Sequence, residues 1–90
     1  MTSRTLTILN ESGLHARPAG MFVETASKFR SRVTVSNGKQ AVDGKSVLSL
    51  MLLGVTPGAQ VTITADGEDE AEALDALAGL IQRSFGEAPG

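Results

Sequence analysis

The chain has no cysteine, no tryptophan and no tyrosine, and its 90 residues include one histidine, His15. Without cysteine there is no disulfide, thiol nucleophile or iron–sulfur ligation, and one imidazole alone makes no zinc or histidine-cluster site. Three phenylalanines are the only aromatics, so the stacking platform with which proteins hold single-stranded nucleic acid is missing. The longest apolar run, Leu50 to Val55, is interrupted by Gly54 and falls far short of the roughly 20 residues a membrane span needs. Met1 to Asn10 alternates threonine with aliphatics and has no continuous apolar segment, so it does not read as a signal peptide. These absences predict a cytoplasmic protein with no metal, no cofactor, no nucleic-acid partner and no membrane insertion, and a monomer is expected.

Hydrophobic residues make up 41% and charged residues 20%, an ordinary balance for one small folded domain. The net charge of −2 hides an asymmetry: Met1 to Lys45 holds seven basic against three acidic residues, and Ser46 to Gly90 one basic against seven acidic. A basic half suits a partner carrying acidic groups or phosphate, although the same asymmetry scattered over a surface would need no partner.

Periodicity predicts the elements. Leu6 and Ile8 alternate with Thr5 and Thr7, so Arg4 to Leu9 reads as a strand. From Ala16 onward, Ala19, Phe22, Val23, Ala26 and Phe29 form the stripe of an amphipathic helix. Pro18 then lies in the first turn, where its missing N–H costs nothing, and His15 lies at or just before the N-cap. Val33 and Val35 pair with the Ala41–Val42 segment across Asn37-Gly38, a dipeptide that suits a type I′ hairpin. Ser46 and Gly54 cap a short apolar helix from Val47 to Leu53. Val61, Ile63 and Ala65 alternate with Thr62 and Thr64 in a fourth strand. Asp69 and Glu72 then open a last helix as a variant capping box, and it runs to about Phe85. The order βαββαβα predicts an α+β fold, an open-faced two-layer sandwich with a four-stranded antiparallel sheet covered on one face by three helices. A single domain spans residues 1–86, and 87–90 reads as a frayed tail.

Chemistry concentrates at Gly13-Leu14-His15-Ala16-Arg17-Pro18, where a loop meets a helix start. Unpaired amides and the helix dipole there favour an anion such as phosphate, and Arg17 adds a charge-assisted, bidentate donor. Imidazole is nucleophilic near neutral pH, and an N-linked phosphoryl group is reactive enough to be passed on, so His15 suits covalent carriage. A solvent-exposed capping histidine would occupy the same position without chemistry. Ser12 reads as a loop hydrogen bonder that orients the imidazole, with Ala16 and Pro18 supporting the helix start. Ser46 needs no role beyond that of N-cap. Val47, Leu48, Met51 and Leu52 are too many apolar residues for a two-turn helix with one buried face. Part of that ring is therefore expected to be a docking surface, together with Gly20 and Met21.

Gly13-Leu14-His15-Ala16-Arg17-Pro18-Ala19, Glu24-Thr25-Ala26-Ser27-Lys28-Phe29, Asn37-Gly38-Lys39, Lys45-Ser46, Leu53-Gly54-Val55, Val61-Thr62-Ile63 and Asp66-Gly67 together resemble the HPr family of phosphocarriers of the sugar phosphotransferase system. The resemblance runs from about Thr5 to Phe85. It implies a phosphoryl group accepted on Nδ1 of His15 from enzyme I, itself phosphorylated from phosphoenolpyruvate, and passed to IIA domains of sugar permeases. It further implies Arg17 as the active-centre arginine and Ser46 as the regulatory serine, with HPr kinase/phosphorylase and a transcriptional regulator as additional partners. On this reading the protein is a stoichiometric carrier and not an enzyme. Gly20 stands where the family commonly has Ala, Ser or Thr. The competing readings are a regulatory or nitrogen-related HPr paralogue acting as an interaction module through Ser46 and the second helix, and a βαββαβ nucleic-acid binder, which the threonine-rich sheet face disfavours.

Overall fold

A computed structural model describes residues 1–87. Its elements run β1 (Thr2–Thr7), α1 (Ala16–Ala26), β2 (Arg32–Ser36), β3 (Ala41–Asp43), α2 (Val47–Leu52), β4 (Gln60–Asp66) and α3 (Glu70–Gln82), followed by a single 3₁₀ turn at Ser84–Gly86. All strand pairs are antiparallel, in the order β1-β4-β2-β3. The expected open-faced sandwich is the fold observed. Val33, Val35, Val61, Ile63 and Ala65 point to one side of the sheet and are buried there with Phe22, Leu50 and Leu77 from the three helices. The other side carries hydroxyls, and Ser3 pairs with Thr64 at 2.8 Å and Thr5 with Thr62 at 2.9 Å across the β1–β4 ladder. Helix α3 lies across β1 and β4, and α1 packs against both α2 and α3.

Several local details differ from expectation. Strand β1 starts and ends two residues early, because β4 extends to Asp66 and offers partners to Thr2 and Ser3. The hairpin is present with Val35 opposite Val42, but its turn is not type I′. Gly38 has φ +91° while Asn37 remains outside the left-handed region. The Asn37 side chain organises the turn instead, its Oδ1 accepting from the amides of Lys39 at 2.9 Å and Gln40 at 3.0 Å, a local bond that asparagine makes readily.

The capping box at α3 does not form. Asp69 occupies the N-cap without capping, because its carboxylate is drawn across to the α1–β2 loop. There it accepts from the amides of Arg30 at 2.8 Å and Ser31 at 2.9 Å and from the Ser31 hydroxyl at 2.5 Å. The Ser31 hydroxyl first, and the Arg30 amide next, hold the Asp69 carboxyl down at about 2.

Helix α3 also stops at Gln82, short of Phe85. Ser84 (φ 54°), Phe85 (φ 53°) and Gly86 (φ 77°) are successively left-handed, which costs a non-glycine residue roughly 1–2 kcal/mol. Complete burial of the Phe85 side chain offsets that cost, at about 1.5–3 kcal/mol for a large apolar group.

Gly20 lies inside α1, and a Cβ there would meet nothing within 4 Å outside its own helix. Glycine in a helix interior is about 0.5–1 kcal/mol worse than alanine. Gly20→Ala is therefore expected to raise the melting temperature by about 2–8 °C; an unchanged or lower value in a thermal scan would mean that the helix pays no entropy at this position.

Candidate functional site

His15 is the N-cap of α1. Its backbone is extended (φ −82°, ψ −169°), and its imidazole makes no capping bond to its own helix. The side chain is exposed because Leu14 before it and Pro18 after it are both buried and fix the chain on either side. Ala19 is the first amide to turn inward, donating to the His15 carbonyl at 2.9 Å. Pro18 has no N–H, so within the first turn of the helix the amides of Ala16 and Arg17 are the donors left without an intrahelical acceptor. Arg17 is exposed and forms no ion pair among the described residues. An exposed nucleophilic ring, two open amides, a helix dipole and an unpaired guanidinium thus meet at one point, an arrangement suited to a tetrahedral dianion.

The loop before His15 is held more tightly than its sequence indicates. Gly13 has φ +59°, and a Cβ there would strike the Val55 carbonyl oxygen, so both conformation and space require glycine. The Leu14 amide donates to the same carbonyl at 3.2 Å. Asn10 is fully buried and spans the loop, its Nδ2 donating to the Gly13 carbonyl at 2.8 Å and to Glu87 Oε1 at 3.0 Å.

Ser12 does not orient the imidazole. Its hydroxyl donates to the Glu87 carboxylate at 2.7 and 2.9 Å, and its amide donates to Glu87 Oε1 at 3.2 Å, because a carboxylate accepts strong, charge-assisted hydrogen bonds. Glu87, expected to be frayed, is thereby fastened to the loop, while the rest of the expected tail lies outside the described residues. Hydrogen bonds from Asn10 and then Ser12, with a smaller contribution from the Arg17 charge, hold the Glu87 carboxyl below its ordinary range. Sequence reasoning missed Asn10 and Glu87 as members of this site. Asn10 reads as an ordinary turn residue, and nothing along the chain announces a contact between Ser12 and Glu87.

Ser46 is the N-cap of α2, and its hydroxyl accepts from the Ser49 amide at 3.3 Å. Lys45 beside it donates from Nζ to the Phe29 carbonyl at 2.8 Å, just beyond the end of α1. Of the apolar residues assigned to docking, Val47 (37%), Leu48 (67%) and Leu52 (72%) are exposed, while Met51, Met21 and Gly20 are half-buried. Leu9, not foreseen as surface, is 54% exposed. Among the described residues no cluster of acidic or histidine side chains could hold a metal ion, and no helix is long and apolar enough to cross a membrane.

A family model described as "PTS HPr component phosphorylation site" matches residues 2–83. The chain is 44% identical over 87 residues to phosphocarrier protein HPr of Neisseria meningitidis serogroup A, covering 97% of this chain and 98% of that protein. Its fold superposes on the crystal structure of HPr-C-His from Thermoanaerobacter tengcongensis with a TM-score of 0.94 at 48% identity, covering 98% and 99% of the two chains. It is also similar to Crh, the Bacillus subtilis catabolite repression protein described as a domain-swapped dimer, with a TM-score of 0.75 at 40% identity and coverage of 93% and 97%. An exposed histidine set on a helix start among free amides, within a fold and sequence shared this closely, places the chain in the HPr family of phosphotransferase-system phosphocarriers.

Proposed function

We propose that the protein is a cytoplasmic carrier that accepts a phosphoryl group on Nδ1 of His15 from phosphorylated enzyme I and delivers it to IIA domains of sugar permeases. The observation that carries this reading is the exposed, uncapped imidazole of His15 beside the open amides of Ala16 and Arg17. In the accepting step the Nδ1 lone pair attacks phosphorus, the N–P bond forms and the bond from phosphorus to the donor breaks. Delivery reverses this, with the IIA acceptor as nucleophile and the imidazole as leaving group. The helix-start amides and Arg17 stabilise the charge on the phosphoryl oxygens in both steps. Because the group leaves as it came, the protein is a stoichiometric carrier and catalyses no net reaction alone. Incubation with phosphoenolpyruvate and enzyme I should place one acid-labile phosphate on His15, read by intact mass and phosphorus NMR; an unmodified chain would refute the carrier reading.

The exposed Val47, Leu48 and Leu52, with Met51, Met21 and Gly20, form the proposed docking surface, and Ser46 is the proposed regulatory site for HPr kinase/phosphorylase. A negative charge at Ser46 has opposite expected effects on folding and docking. It meets free amides and the positive end of α2, so Ser46→Asp should be neutral or stabilising by up to about 1 kcal/mol. It also sits beside the apolar docking residues and adds desolvation and repulsion against an acidic partner. Weaker binding to enzyme I at an unchanged or higher melting temperature is expected; equal affinity in low-salt calorimetry would leave Ser46 as a helix cap only.

The likeness to Crh favours a second reading, a regulatory module acting mainly through Ser46 and binding a transcriptional regulator. Phosphate on His15 in the enzyme I experiment decides between the two. The proposed monomer is checked against the dimeric state described for Crh by sedimentation.

A further inference from the structure

Asn10 opens the tight turn that leads to His15. The Gly13 amide donates to the Asn10 carbonyl at 3.2 Å, which closes a four-residue turn with asparagine first and glycine last, as such turns favour. An asparagine in that place ordinarily accepts, through Oδ1, from the amide two residues on. Here that amide belongs to Ser12 and donates to Glu87 Oε1 at 3.2 Å instead. The Asn10 carboxamide is turned the other way. Its Nδ2 donates to the Gly13 carbonyl at 2.8 Å and to Glu87 Oε1 at 3.0 Å, while Oδ1 is buried with no partner among the described residues. Both neighbours of Nδ2 are acceptors, so the amide has no alternative orientation.

A buried polar atom without a partner is destabilising, and leucine, with nearly the shape of asparagine, would not have it. Leucine would leave the Gly13 carbonyl without its donor in exchange, so the two residues differ little in what they leave unpaired. They differ in the hold on Gly13. Asn10 grips that residue at both its amide and its carbonyl, in the left-handed conformation at φ +59°, and the next amide, that of Leu14, is held by the Val55 carbonyl. Every backbone polar group from the Gly13 amide to the Leu14 amide is therefore bonded, and His15 follows as the first exposed residue.

We propose that Asn10 is a positioning residue for phosphoryl transfer, whose Nδ2 fixes the Gly13 carbonyl and with it the direction in which the chain presents the His15 imidazole to phosphorus. The proposal rests on the reading of His15 as the phosphoryl acceptor. Asn10 is fully buried and offers no surface to a partner, so it acts on the rate of transfer within the complex and not on docking.

The test is single-turnover transfer from phosphorylated enzyme I to wild type and to Asn10→Leu over a range of carrier concentrations. The variant is expected to lose roughly ten- to hundredfold in maximal rate, the scale on which a small misplacement of reacting groups acts. Its half-saturating concentration should not change, and its melting temperature should stay within about 5 °C of wild type. Asn10→Asp keeps Oδ1 and removes the donor, and should show at least the same loss. A residue that served stability alone would lower the melting temperature and leave the maximal rate of the folded protein untouched. A wild-type maximal rate in Asn10→Leu, or a change confined to the half-saturating concentration, overturns the proposal.

Should neither variant fold, NMR of the wild type decides. The scalar coupling carried through the hydrogen bond from the Asn10 side-chain amide to the Gly13 carbonyl must persist when His15 is phosphorylated, and its disappearance would be equally fatal. Full-rate transfer to both wild type and Asn10→Leu would remove Asn10 and leave the carrier reading standing. A wild type that takes no phosphate from enzyme I would remove the carrier reading, and with it the reaction Asn10 serves.

Discussion

His15→Ala is expected to abolish phosphoryl acceptance completely while leaving the fold intact. The imidazole is exposed and caps nothing, and its neighbours Leu14 and Pro18 are buried without its help. Surface substitutions of this kind usually change stability by no more than about 0.5 kcal/mol. Function has no fallback, because the chain contains no second histidine and no cysteine. A serine or threonine attacked instead would give an acid-stable ester, distinguishable by its survival in acid. Intact-mass analysis after incubation with phosphoenolpyruvate and enzyme I, beside a thermal scan, measures both halves. Acid-labile phosphate on the variant would remove His15 from the centre of the site, and an unfolded variant would mean that the imidazole has a structural task its exposure conceals.

Arg17→Ala is expected to slow transfer by about 10²–10³-fold, because removing one preorganised donor to a charged transferring group typically costs about 2.7–4 kcal/mol. Arg17 holds no ion pair that the substitution would break, so stability should hardly move and the loss should fall on the rate. Lysine should restore part of it, since it supplies the charge but lacks the planar fork that meets two phosphoryl oxygens at once. Stopped-flow transfer from enzyme I gives the comparison, and wild-type rates for alanine would mean that the amides of Ala16 and Arg17 carry the phosphoryl group unaided.

The parts of the fold governed by periodicity are the parts the sequence shows plainly. Val33 and Val35, Val61 and Ile63, and Ala19, Phe22 and Ala26 of the α1 stripe each bury the face their spacing indicates, whereas Val23 is half-buried and Phe29, also half-buried, lies beyond the end of the helix. Caps made by neighbouring residues are equally readable, as with Ser46 and Ser49. Polar groups that reach across the chain are not. Asp69 has the composition of a capping residue and instead holds Arg30 and Ser31, and Ser12 turns from the imidazole to Glu87. In each case a carboxylate found amides or hydroxyls brought near by the tertiary fold, and local preference lost to a charge-assisted bond. The positions of His15 and Arg17 escape this uncertainty because they depend on the helix start itself, which Pro18 marks in the sequence. The support beneath them, Asn10, Gly13 and Glu87, comes into view only with the fold.

The order β1-β4-β2-β3 has a consequence for how the chain acquires its structure. Strand β4 is central and pairs with both β1 and β2, yet it is the last strand to emerge during synthesis. Until Gln60–Asp66 is available, β1 has no neighbour, and the β2–β3 hairpin is an isolated ribbon, marginal on its own in water. The His15 loop waits longer still, since it needs Val55 for its backbone and Glu87 for Ser12 and Asn10. Contacts so distant along the chain are slow to close. A growing chain that has not yet reached Val55 and Glu87 therefore presents the His-Ala-Arg-Pro segment without the contacts that shape the loop before it.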